Sequence, residues 1–207
     1  DWEVVRLKYL LSTLYRYPTY YGIDYENDGV TEVRGEMIQE DGSINESIAR
    51  YISRETAEDF PRTELREGDL VMTVRGTLGK IGLVTSDLAG SNITANVMRL
   101  EPKRKEIRSE FLMHLLKSHY FEQMLELESD ATTIKTITVP SLVNIALPVP
   151  PLKEQDKIIS QIAERTAELD EVIEREGSLI SALQELRTSL ISEVVTGKID
   201  VRDEAPQ

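Results

Sequence analysis

The sequence contains no cysteine, which excludes disulfides, thiolate catalysis and cysteine-based zinc sites. Its two histidines, His114 and His119, fall in one helical-looking stretch, so a histidine-rich metal site is not expected. No apolar run approaches the roughly 18 residues that span a bilayer. The opening Asp1-Trp2-Glu3 has neither a charged n-region nor an apolar h-region. A reducing, cytoplasmic location without membrane contact is the expectation. Basic charge is also scarce: 24 Lys and Arg stand against 37 Asp and Glu, a formal charge of -13. Phosphate contacts need Lys and Arg, so binding nucleic acid through overall charge is disfavoured. The deficit is uneven, however. Residues 1–60 carry 6 basic and 13 acidic side chains, residues 61–151 carry 11 and 11, and residues 152–207 carry 7 and 13. The middle third is neutral, with bases at Arg62, Arg66, Arg75 and Lys80 and at Lys103-Arg104-Lys105-Arg108.

What is present suits one compact domain plus an appendage. The chain has 207 residues, 40% of them hydrophobic, enough to bury a core. It divides at Pro148-Val149-Pro150-Pro151, where prolines block helix and sheet pairing and push their neighbours into extended geometry. Residues 1–150 read as an α+β domain. Strand-like runs lie at Asp69–Arg75, Lys80–Val84, Asn92–Leu100 and Leu142–Leu147, separated by turn signals at Asp41-Gly42, Glu67-Gly68-Asp69 and Ala89-Gly90-Ser91. One amphipathic helix is predicted from about Glu106 to Glu128, with Phe111, Leu112, Leu115, Leu116, Phe121 and Leu125 on its apolar side.

Residues 151–207 read as a long helix and a tail. From Leu152 to Thr196 only Gly177 interrupts a run free of glycine and proline. Pro151 suits the first helical position, Glu154 and Asp156 favour the positive end of the dipole, and Thr196-Gly197-Lys198 is a stop signal. Such a helix would be about 65 Å long at 1.5 Å per residue. A 3-4 spacing runs through Ile159, Ile162, Thr166, Leu169, Ile173, Glu176, Ile180, Leu183, Arg187, Leu190 and Val194, the signature of a coiled-coil seam. Glu176 and Arg187 break the apolar rule with opposite signs. In an antiparallel pair of identical helices, residues whose numbers share a fixed sum face each other. A sum of 363 pairs Glu176 with Arg187, Ile180 with Leu183, Ile173 with Leu190 and Leu169 with Val194. A parallel pair stacks Glu176 on Glu176. The antiparallel pair is therefore expected, centred between Ser181 and Ala182. The alternative is a helix packed on its own domain with both charges in solvent.

Enzymatic chemistry finds little support. Gly76-Thr77-Leu78-Gly79-Lys80-Ile81-Gly82 is the densest glycine run, but a phosphate loop needs glycine where Val74 stands and Ser or Thr where Ile81 stands. The run fits a tight turn between strands, from which Arg75, Thr77 and Lys80 project. No dinucleotide fingerprint, D…E-x-K spacing or Asn/Asp-Pro-Pro loop stands out, and the chain reads as a non-enzyme without a cofactor of its own. Two segments suit groove contact: the tyrosine-rich loop Tyr15–Tyr21, and the hydroxyl-rich stretch Asp130–Thr138. The tyrosine loop is equally readable as a partly buried structural loop, whereas for the hydroxyl-rich stretch the contact reading stands slightly ahead of an edge strand.

Five segments, taken in order, resemble the specificity subunit of Type I restriction–modification enzymes. They are Trp2–Lys8 (WEVVRLK), Val33–Ile38 (VRGEMI) followed by Asp41-Gly42, and Leu65–Val71 (LREGDLV) leading into Arg75–Gly82 (RGTLGKIG). Next come Ile145–Gln155 (IALPVPPLKEQ), the most specific, and Leu190–Arg202 (LISEVVTGKIDVR). The resemblance implies that residues 1–150 form a target recognition domain reading one half of a bipartite double-stranded DNA site. Residues 151–200 would be the spacer helix, paired antiparallel with another. It further implies docking of methyltransferase subunits that bring S-adenosylmethionine, and of a motor-nuclease (restriction/translocase) subunit. A full subunit has two domains and two helices where this chain has one of each, so the chain is either a half-subunit that dimerises or half of a longer one. The expected DNA contacts are Tyr15, Arg16, Tyr20, Tyr21, Arg34, Arg75, Thr77, Lys80, Thr133 and Lys135. The expected helix interface is Ile162, Leu169, Ile173, Glu176, Ile180, Leu183, Arg187, Leu190 and Val194. The rival from another class is an acidic coiled-coil adaptor that never touches DNA. The seam makes its own test: Glu176→Leu with Arg187→Leu should tighten association yet allow both helix directions, read by cross-linking of cysteines introduced at the two helix ends. A single retained direction would show that the charges do not set it.

Overall fold

A computed structural model of the chain describes residues 2–16, 24–75, 77–128 and 137–199. It forms two compact units, residues 1–159 and 160–207. The first is α+β, as expected. Its strands are β1 (Glu3–Arg6), β2 (Leu11–Arg16), β3 (Val30–Val33), β4 (Arg50–Ile52), β5 (Leu70–Thr73), β6 (Ile81–Leu83), β7 (Asn92–Ile93), β8 (Val97–Pro102) and β9 (Ala146–Val149). Its helices are α1 (Leu7–Leu10), α2 (Arg54–Asp59), α3 (Ser109–Leu116), α4 (His119–Glu128) and α5 (Val139–Val143), followed by the start of α6 (Leu152–Val195).

An antiparallel four-stranded sheet, in the order β2-β8-β5-β6, organises the unit. Successive side chains of its inner strands face opposite sides, and because both sides are covered the strands are buried almost throughout. Leu70, Met72, Met98 and Leu100 point into a large core with Leu7, Leu10, Phe111, Leu112, Leu116, Phe121 and Leu142. Val71 and Val97 point the other way, into a second core with Val33, Ile38, Leu65, Leu88 and Ile93. That face is covered by the mixed sheet β4-β3-β7, in which β3 runs antiparallel to β4 and parallel to β7. The three turn signals hold: Gly42, Gly68 and Gly90 all have positive φ, at 98°, 80° and 87°.

Arg99 interrupts the apolar pattern of β8 and is nonetheless buried. Its Nε donates to Asp69 Oδ2 at 2.7 Å, its other nitrogens reach Arg62 O at 3.4 Å and Glu101 at 3.4 Å, and Asp69 also accepts from Arg66 N at 2.8 Å. Burial pushes the Asp69 carboxyl up, and the Arg66 N–H and the Arg99 guanidinium pull it back.

Four local expectations are corrected. The helix expected at 106–128 is two helices, because Ser118 ends one and caps the next: its hydroxyl donates to Leu115 O at 2.6 Å and accepts from Phe121 N at 3.3 Å. The strand expected at Leu142–Leu147 gives way to α5 and a later strand, since a helical turn is what carries Leu142 into the core. Asn92–Leu100 is split by a turn at Thr94–Asn96, closed by Val97 N on Thr94 O at 3.1 Å, and its two parts serve different sheets. The proline cluster does not block pairing: β9 runs antiparallel to β1 with Pro148 opposite Val4. A strand with one neighbour needs ladder bonds on one side only, which leaves room for an imide nitrogen.

The compact unit extends to Ile159 because Gln155 is buried and Ile158 and Ile159 pack on the large core. Pro151 stands just before the helix, its carbonyl accepting from Glu154 N and Gln155 N at 2.8 and 3.0 Å. In the second unit α6 runs on to Val195 and stops as the sequence indicates. Gly197 has φ 72°, Lys198 N donates to Glu193 O at 2.8 Å, and Gly197 N donates to Val194 O at 3.1 Å. No described helix is long and apolar enough to cross a membrane.

The buried ion pair makes a prediction. Arg99→Ala leaves the Asp69 carboxylate buried beside Glu101, at an expected cost of about 3–5 kcal/mol. Arg99→Met with Asp69→Leu should cost much less, and urea unfolding of both variants measures the difference.

Candidate functional site

Register places several loops at one end of the four-stranded sheet. Arg16 closes β2 opposite Met98, Thr73 closes β5 opposite Val97, and β6 starts at Ile81 opposite Met72. The glycine-rich turn, described at residues 74–75 and 77–80, and the turn at Thr94–Asn96 therefore leave from the same edge, tied together by Val74 N on Asn96 O at 2.9 Å. β3 ends there too: Thr94 N donates to Val33 O at 3.2 Å, and a Cβ on Gly35 would stand 3.0 Å from Thr73 Cγ2.

Thr73 holds the glycine turn in shape. It is buried, its hydroxyl donates to Thr77 O at 2.5 Å, and the same oxygen accepts from Lys80 N at 2.9 Å. Its main chain closes the hairpin, with Thr73 N on Lys80 O and Gly79 N on Thr73 O, both at 3.0 Å. One hydroxyl thus braces both limbs of the turn. Nothing in the sequence marked Thr73, since a threonine at a strand end is ordinary.

The candidate residues differ in how free they are. Arg75 and Thr77 are exposed on the turn. Arg16 is half-buried, and burial first, then the charge of Arg75, push its guanidinium below its ordinary pKa. A guanidinium does not deprotonate in a protein, so both charges stand at this end of the sheet, Arg16 at the end of β2 and Arg75 just past the end of β5. Among the described residues, neither is ion-paired to a carboxylate. Tyr15 stacks under Arg62, whose guanidinium carbon lies 4.2 Å from the ring centroid. Lys80 is engaged by Ile38 O at 3.3 Å and Glu40 at 3.4 Å. Arg34 is ion-paired to Glu36 and donates to Ile48 O at 2.7 Å. Tyr20, Tyr21, Thr133 and Lys135 lie outside the described residues.

Most of the basic run at 103–108 is spent on the fold. Lys103 Nζ donates to Tyr9 O at 3.0 Å, Arg104 donates to Glu67 O, and Arg108 forks onto Asp156 at 2.7 and 3.1 Å. These groups lie beyond Pro102, at the other end of β8 from Arg16 and Arg75. The edge that remains is a small cationic, hydroxyl-bearing surface on a braced turn, suited to an anion flanked by hydrogen-bonding groups. Among the described residues, no group of three or more His, Asp or Glu could hold a metal ion.

Known proteins share this architecture. A family model described as the Type I restriction modification DNA specificity domain matches residues 1–176. The EcoBI specificity subunit of a Type I restriction enzyme from Escherichia coli is 27% identical over 203 residues, covering 96% of this chain and 42% of that protein. The MjaVIII specificity subunit from Methanocaldococcus jannaschii is 28% identical, covering 98% and 47%. The chain thus spans about half the length of the curated relatives it matches. A solved chain from a study of complex assembly and conformational transition in the type I R-M system superposes with a TM-score of 0.67 at 23% identity, over all of this chain and 51% of that one. The HsdS subunit from Thermoanaerobacter tengcongensis gives 0.66 at 22%, with the same coverage. These last two show the fold.

The brace predicts a local effect. Thr73→Val strands Lys80 N–H and Thr77 C=O, at about 1–3 kcal/mol, and should speed tryptic cleavage at Arg75 without shifting the first-cut sites elsewhere. Unchanged cleavage would show that the turn holds its shape without the hydroxyl.

Proposed function

Because this chain belongs to the family of Type I restriction modification DNA specificity domains, we propose that residues 1–150 read one half of a bipartite double-stranded DNA site. In this reading the chain does no chemistry. It docks adenine methyltransferase subunits, which bring S-adenosylmethionine, and through them a motor-nuclease subunit. The observation that carries the reading is the strand register that puts Arg16 and Arg75 at one end of the sheet beside the braced turn, without a carboxylate partner among the described residues. Two repelling guanidiniums are relieved by a phosphate, and Thr77 beside them offers a hydroxyl to a groove edge. Lys80, shared with Glu40 and Ile38 O, contributes less, while Thr133 and Lys135 remain candidate contacts. A net charge of -13 is compatible with this role, because partner subunits supply the rest of the clamp.

The spacer helix pairs with a second copy in the antiparallel register centred between Ser181 and Ala182. Leu169, Ile173, Ile180, Leu183 and Leu190 are 44–68% exposed in the single chain. Covering what remains exposed is worth on the order of 1 kcal/mol per residue.

The test measures the affinity of the chain–methyltransferase complex for DNA against salt. Arg16→Gln and Arg75→Gln should each weaken binding and each flatten the slope of log affinity against log salt by about 1. A complex with no DNA affinity at low salt would favour the acidic coiled-coil adaptor. Unchanged slopes in both variants would remove this edge from the interface.

A further inference from the structure

Three consecutive side chains at the start of α6 hold the recognition domain, one at Trp2 and two at the segment that ends in Arg108. Glu154 accepts from Trp2 Nε1 at 2.9 Å, just before β1, and the Trp2 ring stands edge-on to Phe111 with centroids 6.4 Å apart. Gln155 is fully buried. Its Oε1 accepts from Arg108 N at 2.8 Å, and its Nε2 donates to Pro150 O at 2.8 Å and Glu106 O at 3.3 Å. Asp156 takes both arms of the Arg108 fork, Nε at 2.7 Å and a terminal nitrogen at 3.1 Å.

This chemistry is costly if holding the helix down were its only purpose. A buried amide adds little net stability even when satisfied, but it penalises any other arrangement of its partners. The exposed Arg108–Asp156 pair likewise adds little stability, yet its bidentate geometry is directional. We infer that Glu154, Gln155 and Asp156 are positioning residues that set the spacing selectivity of DNA recognition, an inference that rests on the DNA-reading role proposed above. The clamp adjoins the Pro102 end of β8, and Arg16 and Thr73 mark the other end. A six-residue strand separates them, about 20 Å. One base pair rises about 3.4 Å, so a pivot of about 10° at the clamp moves the reading edge by one base-pair step. Selection of one spacer length therefore demands a joint stiffer than a proline hinge provides, and the three side chains supply that stiffness.

The test uses the chain–methyltransferase complex and a pool of duplexes whose half-sites are separated by the wild-type spacer or by one or two base pairs more or fewer. Sequencing reads adenine methylation at each spacer. The wild-type complex should prefer one spacer over its neighbours by about tenfold or more, and Gln155→Met, Arg108→Gln and Asp156→Asn should cut that preference to about threefold or less while the original spacer is still methylated. The swap of Arg108→Asp with Asp156→Arg should restore it. If Gln155→Met fails to fold, the surface variants decide, since they break no core contact. Variants that lose overall methylation but keep the wild-type preference would overturn the inference and leave the three residues merely structural. Absence of methylation by the wild-type complex on every duplex would instead overturn the DNA-reading role, and the inference with it.

Discussion

Along α6 between Leu169 and Leu190 an apolar stripe stands half-exposed, and a stripe of that length in water calls for a second helix. In the proposed pair, the two charged members of the seam would decide which way that helix runs. Glu176 and Arg187 each forfeit solvation when covered, and each is compensated only if the other sits opposite. The flanking charges point the same way. Residues 160–177 carry six acids and two bases, whereas residues 178–195 carry two and one. Parallel helices would align the acidic halves, and antiparallel helices set each acidic half beside a nearly neutral one. A chain with one recognition domain and one such helix then becomes, in a pair, a molecule with two domains related by a two-fold axis.

Within the domain, charge is divided between structure and site. Arg99, Arg104 and Arg108 serve main-chain carbonyls and buried or bordering carboxylates, and Lys103 anchors a helix end. Arg16 and Arg75 are left without such partners among the described residues, at the end of the sheet where the braced turn emerges. That division explains how an acidic chain keeps a cationic edge. The proposed reading role needs a few well-placed guanidiniums, and the acidic majority lies elsewhere, much of it along the helix.

Much of this was legible in the sequence because it depends on local chemistry. The turn glycines, the proline-then-helix boundary, the Thr196-Gly197-Lys198 stop and the buried strands β5 and β6 follow from backbone preference and from short apolar runs bounded by turn residues. What was not legible depends on long-range contacts. Pro148 pairs with Val4, 144 positions away in sequence, which makes the N-terminal segment a strand that nothing in its own residues announced. Ser118 could extend a helix or end one, and its position against the core chose the latter. Among the candidate contacts, residue type alone was legible. Their freedom was not: Arg34 and Lys80 look the same as Arg75 in a sequence, but Glu36 and Glu40 already hold them. Thr73 and Gln155 carried no signal, because a braced turn and a buried amide are defined by what surrounds them.

We propose that two copies of this chain, joined antiparallel, direct methylation to an interrupted DNA site. It is tested most directly by expressing the chain with its methyltransferase partner, without any second specificity half, and mapping methylated adenines across the host DNA. Methylation confined to a symmetric interrupted motif, with two identical half-sites at one fixed spacing, is the predicted result. An asymmetric motif, or no methylation while both proteins are soluble and associated, would contradict it.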